Sequence, residues 1–375
     1  MNNFLLRGIL GATVCLVTGG AFAQTTVTED NGVKHNVSLP TADTYLRMGY
    51  TKTDLGGKDV IEINTGTDGV AGFVGLLSFS LTDELHYSNY VASKANLRLV
   101  TRSLQSGDNV NVFEYGGTFD EKTLYSAVEA DVTAAHNTGI ITSFNAKGQK
   151  RKALSDKGLT GDYTKLENWV NNIDLTKTVN NLADSKLNIM IESADKNSQS
   201  IKIFSREVKD VTCQTNGSVF SADDLKPQLT VDYALATHTL SVTDAGAATL
   251  VLPYEAEIPE NVKAYTLTYT SGDKAVATEV TDVIPANTPV LINANEGNYT
   301  FKATATLTTK NANPTSGNLY GVWNEDVVPV GSYVLQKQNG TVAFYRVATE
   351  GFKIQPNQAY LYAPKAANVR MLSIG

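Results

Sequence analysis

At 375 residues the chain exceeds one ordinary hydrophobic core, so two domains are the starting expectation. Its 42% hydrophobic and 18% charged content excludes wholesale disorder. The formal net charge is −7 and neither half carries a basic excess, which argues against nucleic acid as a partner.

The N-terminus reads as an address. Arg7 supplies a positive start, residues 8–17 are small and apolar, and Ala21-Phe22-Ala23 forms a small-x-small cleavage site before Gln24. The expectation is a signal peptide over 1–23 and an extracellular or cell-surface protein. The apolar run is too short to span a bilayer and no second run reaches that length, so no transmembrane segment is expected. Val14 stands before Cys15 where a lipoprotein signal needs a small residue, which disfavours lipidation. Export permits disulfides, but loss of Cys15 leaves Cys213 without a partner. Cys213 reads as a buried, inert thiol.

Residues 24–40 are polar and read as a loose lead-in. Alternating runs then predict strands over 44–49, 59–64, 73–81, 94–103, 111–115, 186–193, 199–205 and 226–233. Punctuation such as Gly56-Gly57, Gly116-Gly117 and Gly158 separates them. Eight such strands in two hundred residues predict an all-β first domain over 41–233, an antiparallel β-sandwich of jelly-roll type. The region 119–162 breaks the pattern. It carries a short helix expected over 121–135 and a basic, Gly-punctuated stretch over 147–157. Residues 174–182 read as a helical turn.

The second domain, 234–375, is read as a β domain of two similar units, about 238–306 and 307–375. Ala264-Tyr265-Thr266-Leu267 matches Ser332-Tyr333-Val334-Leu335. Ile284-Pro285-Ala286-Asn287 matches Ile354-Gln355-Pro356-Asn357, about seventy residues on. A Pro-Asn turn fixes φ and then tolerates a tight bend, so it sets where the next strand begins.

Chemistry is mostly absent from the motifs. His35, His86, His136 and His238 are not at metal-ligand spacing. No nucleophile elbow or phosphate loop occurs. Asn64 to Gly69 lacks the ligands of a calcium loop and reads as a turn. No cofactor is expected, and a structural calcium is left open. Trp169 and Trp323 read as core. A polysaccharide-degrading carboxylate pair stays as the enzymatic alternative, because distant strands can bring two carboxylates together.

Strand alternation gives the one positive signal. Ala95, Leu97 and Leu99 oppose Lys94, Asn96, Arg98 and Arg102. Ile201 and Ile203 oppose Lys202, Phe204 and Arg206, and Leu46 and Met48 oppose Tyr45 and Arg47. With the aliphatic sets inward, the outward candidates for ligand binding are Tyr45, Arg47, Lys94, Asn96, Arg98, Arg102, Lys202 and Arg206. Guanidinium forks suit carboxylates, aromatic faces suit sugar rings and amides suit hydroxyls. That set fits an acidic polysaccharide. Lys and Arg also decorate any solvated sheet face, and that plainer reading stands beside it.

Several segments of the first domain resemble, in order, the family-96 carbohydrate-binding modules, or DNRLRE-type domains. They are Ala42-Asp43-Thr44-Tyr45-Leu46-Arg47, Val60-Ile61-Glu62-Ile63, Leu76-Leu77-Ser78-Phe79-Ser80-Leu81, Ala95-Asn96-Leu97-Arg98-Leu99, Phe204-Ser205-Arg206-Glu207 and Lys226-Pro227-Gln228-Leu229-Thr230-Val231. The resemblance implies a jelly roll that binds polysaccharide without turnover, uronate-rich polymers included. The family's Trp-Asn segment is here Thr142-Ser143-Phe144-Asn145. Thr249-Leu250-Val251-Leu252-Pro253-Tyr254, Val283-Ile284-Pro285-Ala286-Asn287-Thr288 and the closing Gln358-Ala359-Tyr360-Leu361 of the second domain resemble a C-terminal β domain of secreted Bacteroidetes proteins, which implies surface partners. A structural or adhesive surface protein with no glycan ligand is the competing expectation.

Overall fold

The structure is a computed structural model that describes residues 14–15, 25–30, 33–49, 55–66, 72–81, 87–103, 109–147, 166–182, 184–195, 200–212, 219–366 and 369–375. Most of the expected signal peptide, Cys213 and nearly all of the basic stretch 147–157 lie outside these. The chain divides into two compact units, one of residues 1–85 and 92–234, the other of 86–91 and 235–375.

The first unit holds β1 (Val14–Cys15), β2 (Thr25–Asp30), β3 (Val33–Ser38), β4 (Ala42–Arg47), β5 (Val60–Ile63), β6 (Phe73–Ser80), β7 (Tyr90–Ser103), β8 (Asn109–Glu114), β9 (Ile140–Asn145), β10 (Val170–Asp174), β11 (Lys186–Ser193), β12 (Ile201–Phe204), β13 (Val211–Thr212), β14 (Val219–Phe220) and β15 (Gln228–Leu235). One sheet runs β1-β2-β3-β15-β7-β12-β5, with β10 also paired to β7. The other runs β4-β6-β11-β8-β9. Every pairing in register is antiparallel, so the all-β expectation is met.

Two expectations are corrected here. The lead-in is not loose: β2 pairs with β3 along its length, and β3 pairs with β15. Along β3 the alternation is weak because polar residues occupy both faces, Asn36 and Ser38 on one and His35 on the other. The second correction concerns β4. Cα partners across an antiparallel ladder share a face. Tyr45 sits opposite Gly75 and Leu46 opposite Val74. Gly75 in turn lies opposite Ile191, and a Cβ there would collide with Ile61 and Ile191. Tyr45 and Arg47 therefore lie on the face turned towards β5, and Tyr45 is 9% exposed. Leu46 is on the opposite face, buried under a helix.

That helix, α1 (Tyr125–Thr138), buries Val128, Val132 and Ala135, spaced i, i+4, i+7 as one apolar stripe requires. They pack on Leu46, Val74, Leu76, Phe113 and Met190. Each fully buried Val contributes roughly 1.5–3 kcal/mol. The helix starts four residues later than expected. Asp120 Oδ1 accepts from Lys122 N–H and the Thr123 hydroxyl, which holds 120–123 in a turn, and Leu124 is extended. Short helices α2 (Thr176–Asn180) and α3 (Ala222–Leu225) follow. Asp174 accepts from Thr176 N–H at 2.9 Å and starts the first. Ser221 accepts from Asp224 N–H and caps the second.

The second unit holds β16 (Thr237–Val242), β17 (Ala247–Leu250), β18 (Ala256–Glu257), β19 (Lys263–Tyr269), β20 (Lys274–Val280), β21 (Val283–Ile284), β22 (Val290–Asn293), β23 (Gly297–Lys302), β24 (Thr315–Ser316), β25 (Leu319–Gly321), β26 (Asp326–Val327), β27 (Tyr333–Gln338), β28 (Thr341–Arg346), β29 (Lys353–Ile354), β30 (Ala359–Leu361) and β31 (Met371–Ile374). Ten of these form one sheet, β17-β22-β19-β20-β31-β28-β27-β30-β25-β24. The repeat is visible in the pairings: β17-β22-β19-β20 matches β25-β30-β27-β28, and the small ladder β18–β21 matches β26–β29. The two Pro-Asn turns match as well. Asn287 and Asn357 both have positive φ, at 57° and 63°. Asn287 N–H donates to Leu252 C=O, and Asn357 N–H donates to Val322 C=O. Leu267, Leu291, Leu319, Tyr333, Phe344 and Leu361 share one core across both halves.

Candidate functional site

The eight sequence-predicted residues do not gather in one place. Tyr45 and Arg47 sit on the smaller sheet, where Arg47 stands 5.8 Å over the Phe73 ring and Tyr45 packs on the same ring. Burial, then Glu62 and Asp59, push the Tyr45 phenol up. The other six lie on β7, on β12 or just after it. They fall into a locked end and an open end of the larger sheet's outer face.

At the locked end, Lys202 stands opposite Glu62 and pairs with it at 3.1 Å. Arg102 pairs with Asp59 at 2.9 Å. Neighbouring outward positions are apolar: Val60, Val100 and Phe204 pack with Trp169, Val208 and Leu225, roofed by the segment that carries β13, β14 and α3. Outward on this part of the sheet does not mean solvated.

Arg206 is the centre of the lock. Its guanidinium pairs with Glu121 and, at 2.7 Å, with Glu207, and donates to Thr41 C=O. Its backbone N–H donates to Asp43 Oδ2 at 2.8 Å. Asp43 is 1% exposed. Burial, then the neighbouring Glu207, holds its carboxyl well above the usual carboxylate range. Burial also raises Glu121, against the pull of Arg206. Burial and the neighbouring Glu207 both favour the protonated form of Asp43 over the ionised one. The cluster borders a cleft of about 610 Å³ lined also by Leu39, Lys209 and Lys226. No local pattern announces it, since Asp43, Glu121 and Glu207 come from three distant segments.

At the open end, β7 and β10 lie side by side. Asn96 is opposite Asp174, and Arg98 opposite Asn172. These side chains and Lys94 share the outer face, away from the buried Ala95, Leu97 and Ile173. Asn96 Nδ2 donates to Asn172 Oδ1 at 3.1 Å. Arg98 Nη2 donates to Asp224 C=O, while its Nη1 finds no acceptor among the described residues. Burial lowers the Arg98 pKa, and Asp224 opposes the shift. The Thr176 hydroxyl and N–H hold Asp174 below its ordinary value, with a smaller contribution from Lys94. Lys94, Asn172 and Asp174 are exposed, and Lys94 forms no ion pair among the described residues. Asn172 and Asp174 are additions to the expected set. Their signal was the alternation Val170, Asn172, Asp174 against Asn171 and Ile173, too short to read as a strand alone.

Among the described residues no three His, Cys, Asp or Glu side chains come together to hold a metal, and no helix is long and apolar enough to cross a membrane. No family model matches the chain, and no curated protein is similar to it.

Proposed function

We propose that the first unit is a non-catalytic carbohydrate-binding module of an exported protein, and that its contact surface is the outer face of β7 and β10. The observation that carries this reading is the row Lys94, Asn96, Arg98, Asn172 and Asp174, held on a sheet that packing makes rigid. Amides and charged hydrogen-bonders in a flat row match the hydroxyls of an extended glycan. Arg98 adds a half-buried positive charge on the same face, its Nη2 held by Asp224 C=O.

Support for an acidic glycan is confined to Lys94 and Arg98, because Arg102, Lys202 and Arg206 are neutralised by Asp59, Glu62, Glu121 and Glu207. Turnover is not part of the reading. The carboxyls that line the cleft are engaged, Glu121 and Glu207 by Arg206 and Asp223 by Lys226, whereas glycoside hydrolysis needs two carboxyls about 5–10 Å apart across a bond. The test is retention of the mature protein on immobilised polysaccharides, neutral and uronate-containing. Binding that a Lys94→Ala/Asn96→Ala pair weakens at least tenfold, with an unchanged melting temperature, is the expected result. No retention on any polymer would overturn it.

A further inference from the structure

The second unit contains a groove of about 360 Å³ whose walls include Ala247 and Thr249 of β17, Leu335 and Lys337 of β27, and Phe352 and Gln358. The β27 edge is unpaired there, whereas the β17 edge is partly held by the chain itself, the Thr249 hydroxyl donating to Ala359 C=O at 3.0 Å and accepting from Ala359 N–H at 2.9 Å. β17 ends the ten-stranded sheet and pairs only with β22. β27 pairs with β28 from Tyr333 to Gln338 but with β30 at Tyr333 alone.

Strand alternation says which groups face the groove. The hairpin β27–β28 turns through Asn339-Gly340, with φ of 49° and 80°, a two-residue turn that makes Gln338 and Thr341 a hydrogen-bonded pair. Gln336 and Val334 then also face β28, and Leu335 and Lys337 point their N–H and C=O groups the other way. On β17, Gly246 C=O accepts from Ala294 on the β22 side, while Val251 N–H donates to Asn357 on the other. Ala247 and Thr249 share the parity of Val251 and face outward.

The repeat shows what such an edge accepts. Tyr265 pairs with Leu291 as Tyr333 pairs with Leu361, so Leu267 and Tyr269 of β19 correspond to Leu335 and Lys337 of β27. The β19 edge is filled by the chain itself. Asn318 N–H donates to Leu267 C=O, and Tyr269 N–H donates to Asn318 Oδ1 at 2.7 Å. The matching β27 edge has no such partner strand among the described residues.

We infer that the groove between β17 and β27 takes an extended polypeptide segment of a partner protein, which adds as a strand to the edge at Leu335 and Lys337. The N–H and C=O groups of Leu335 and Lys337 on the β27 edge match a peptide backbone, which a sugar does not reproduce. The groove's cations are already paired, Lys337 with Asp244 at 2.8 Å and Lys353 with Glu325 at 2.6 Å. The docked residues are therefore uncharged, and an apolar one meets the exposed Phe352 ring.

The test uses the full mature chain and a displayed library of random heptapeptides. The best binder is then resynthesised with alternate backbone nitrogens methylated. Expected are selected sequences that are uncharged and alternating, a loss of at least tenfold on methylation, and slowed hydrogen exchange at Leu335 and Lys337. Leu335→Pro, which removes an N–H that no strand uses, should abolish binding. Should that variant fail to fold, Phe352→Ser, outside both strands, should weaken binding severalfold. No binder from the library, unchanged exchange at β27, or indifference to methylation would overturn the inference. So would self-association that Leu335→Pro disperses, since the occupant would then be a second copy.

Discussion

The two ends of one sheet face in the first unit hold similar residues in opposite ways. Around Arg206, Lys202 and Arg102 every cation meets an acid, and part of the face lies under the segment carrying α3. Along Lys94, Asn96 and Asn172 the same alternation leads into water. Alternation distinguishes the two faces of a strand. It does not tell whether a second layer of chain covers the outer one, and that cover decides whether an Arg is a ligand contact or part of the frame.

Four outcomes would sharpen or break this contrast. The largest effect is expected at Arg206, which is 15% exposed. Arg206→Ala leaves Glu121 and Glu207 without their countercharge and should destabilise the first unit by about 3–5 kcal/mol in chemical denaturation. A loss below about 1 kcal/mol would mean the lock is not structural.

Next is the pH response of Asp43. Its folded carboxyl binds a proton more tightly than the same group in the unfolded chain, which titrates near the ordinary Asp value. The resulting stability is complete below that value and declines as pH rises through the raised folded one. One such group gives a slope of at most about 1.4 kcal/mol per pH unit. Asp43→Asn keeps an acceptor for Arg206 N–H and should flatten the slope above the ordinary Asp value. An unchanged slope would show that Asp43 is ionised in the fold.

At the open end, Lys94→Ala should change stability by less than about 0.5 kcal/mol, as surface substitutions do. A comparably small effect is expected at Arg102→Ala. Its partner Asp59 is 57% exposed, so the pair contributes about 0–1 kcal/mol and less in high salt. A thermal melt with and without 1 M salt separates these two cases.

Much of the fold was legible because core strands alternate cleanly: residues 186–193 carry Leu187, Ile189 and Ile191, and β11 spans those positions. The repeat was legible because its Pro-Asn turns recur with the same left-handed Asn. Tyr45 and Leu46 were misassigned for a physical reason. Both faces of β4 are buried, one against β5 and one under α1, so hydrophobicity could not say which is the sandwich interior. The strands β3 and β10 were missed because their polar residues occupy both buried and surface positions, as Asn36 and Asn171 against His35 and Asn172. Of the candidate surface, Lys94, Asn96 and Arg98 were visible on one strand. Asn172 and Asp174 needed the β7–β10 register, which no local pattern encodes.

The most direct measurement compares glycan retention of two variants with that of the parent chain. Lys94→Ala/Asn96→Ala/Asn172→Ala strips the open end, and Arg102→Ala/Lys202→Ala strips cations from the locked end. The account predicts that the first loses at least tenfold in retention while the second binds like the parent. Equal loss in both, or retention untouched by the triple substitution, would contradict it.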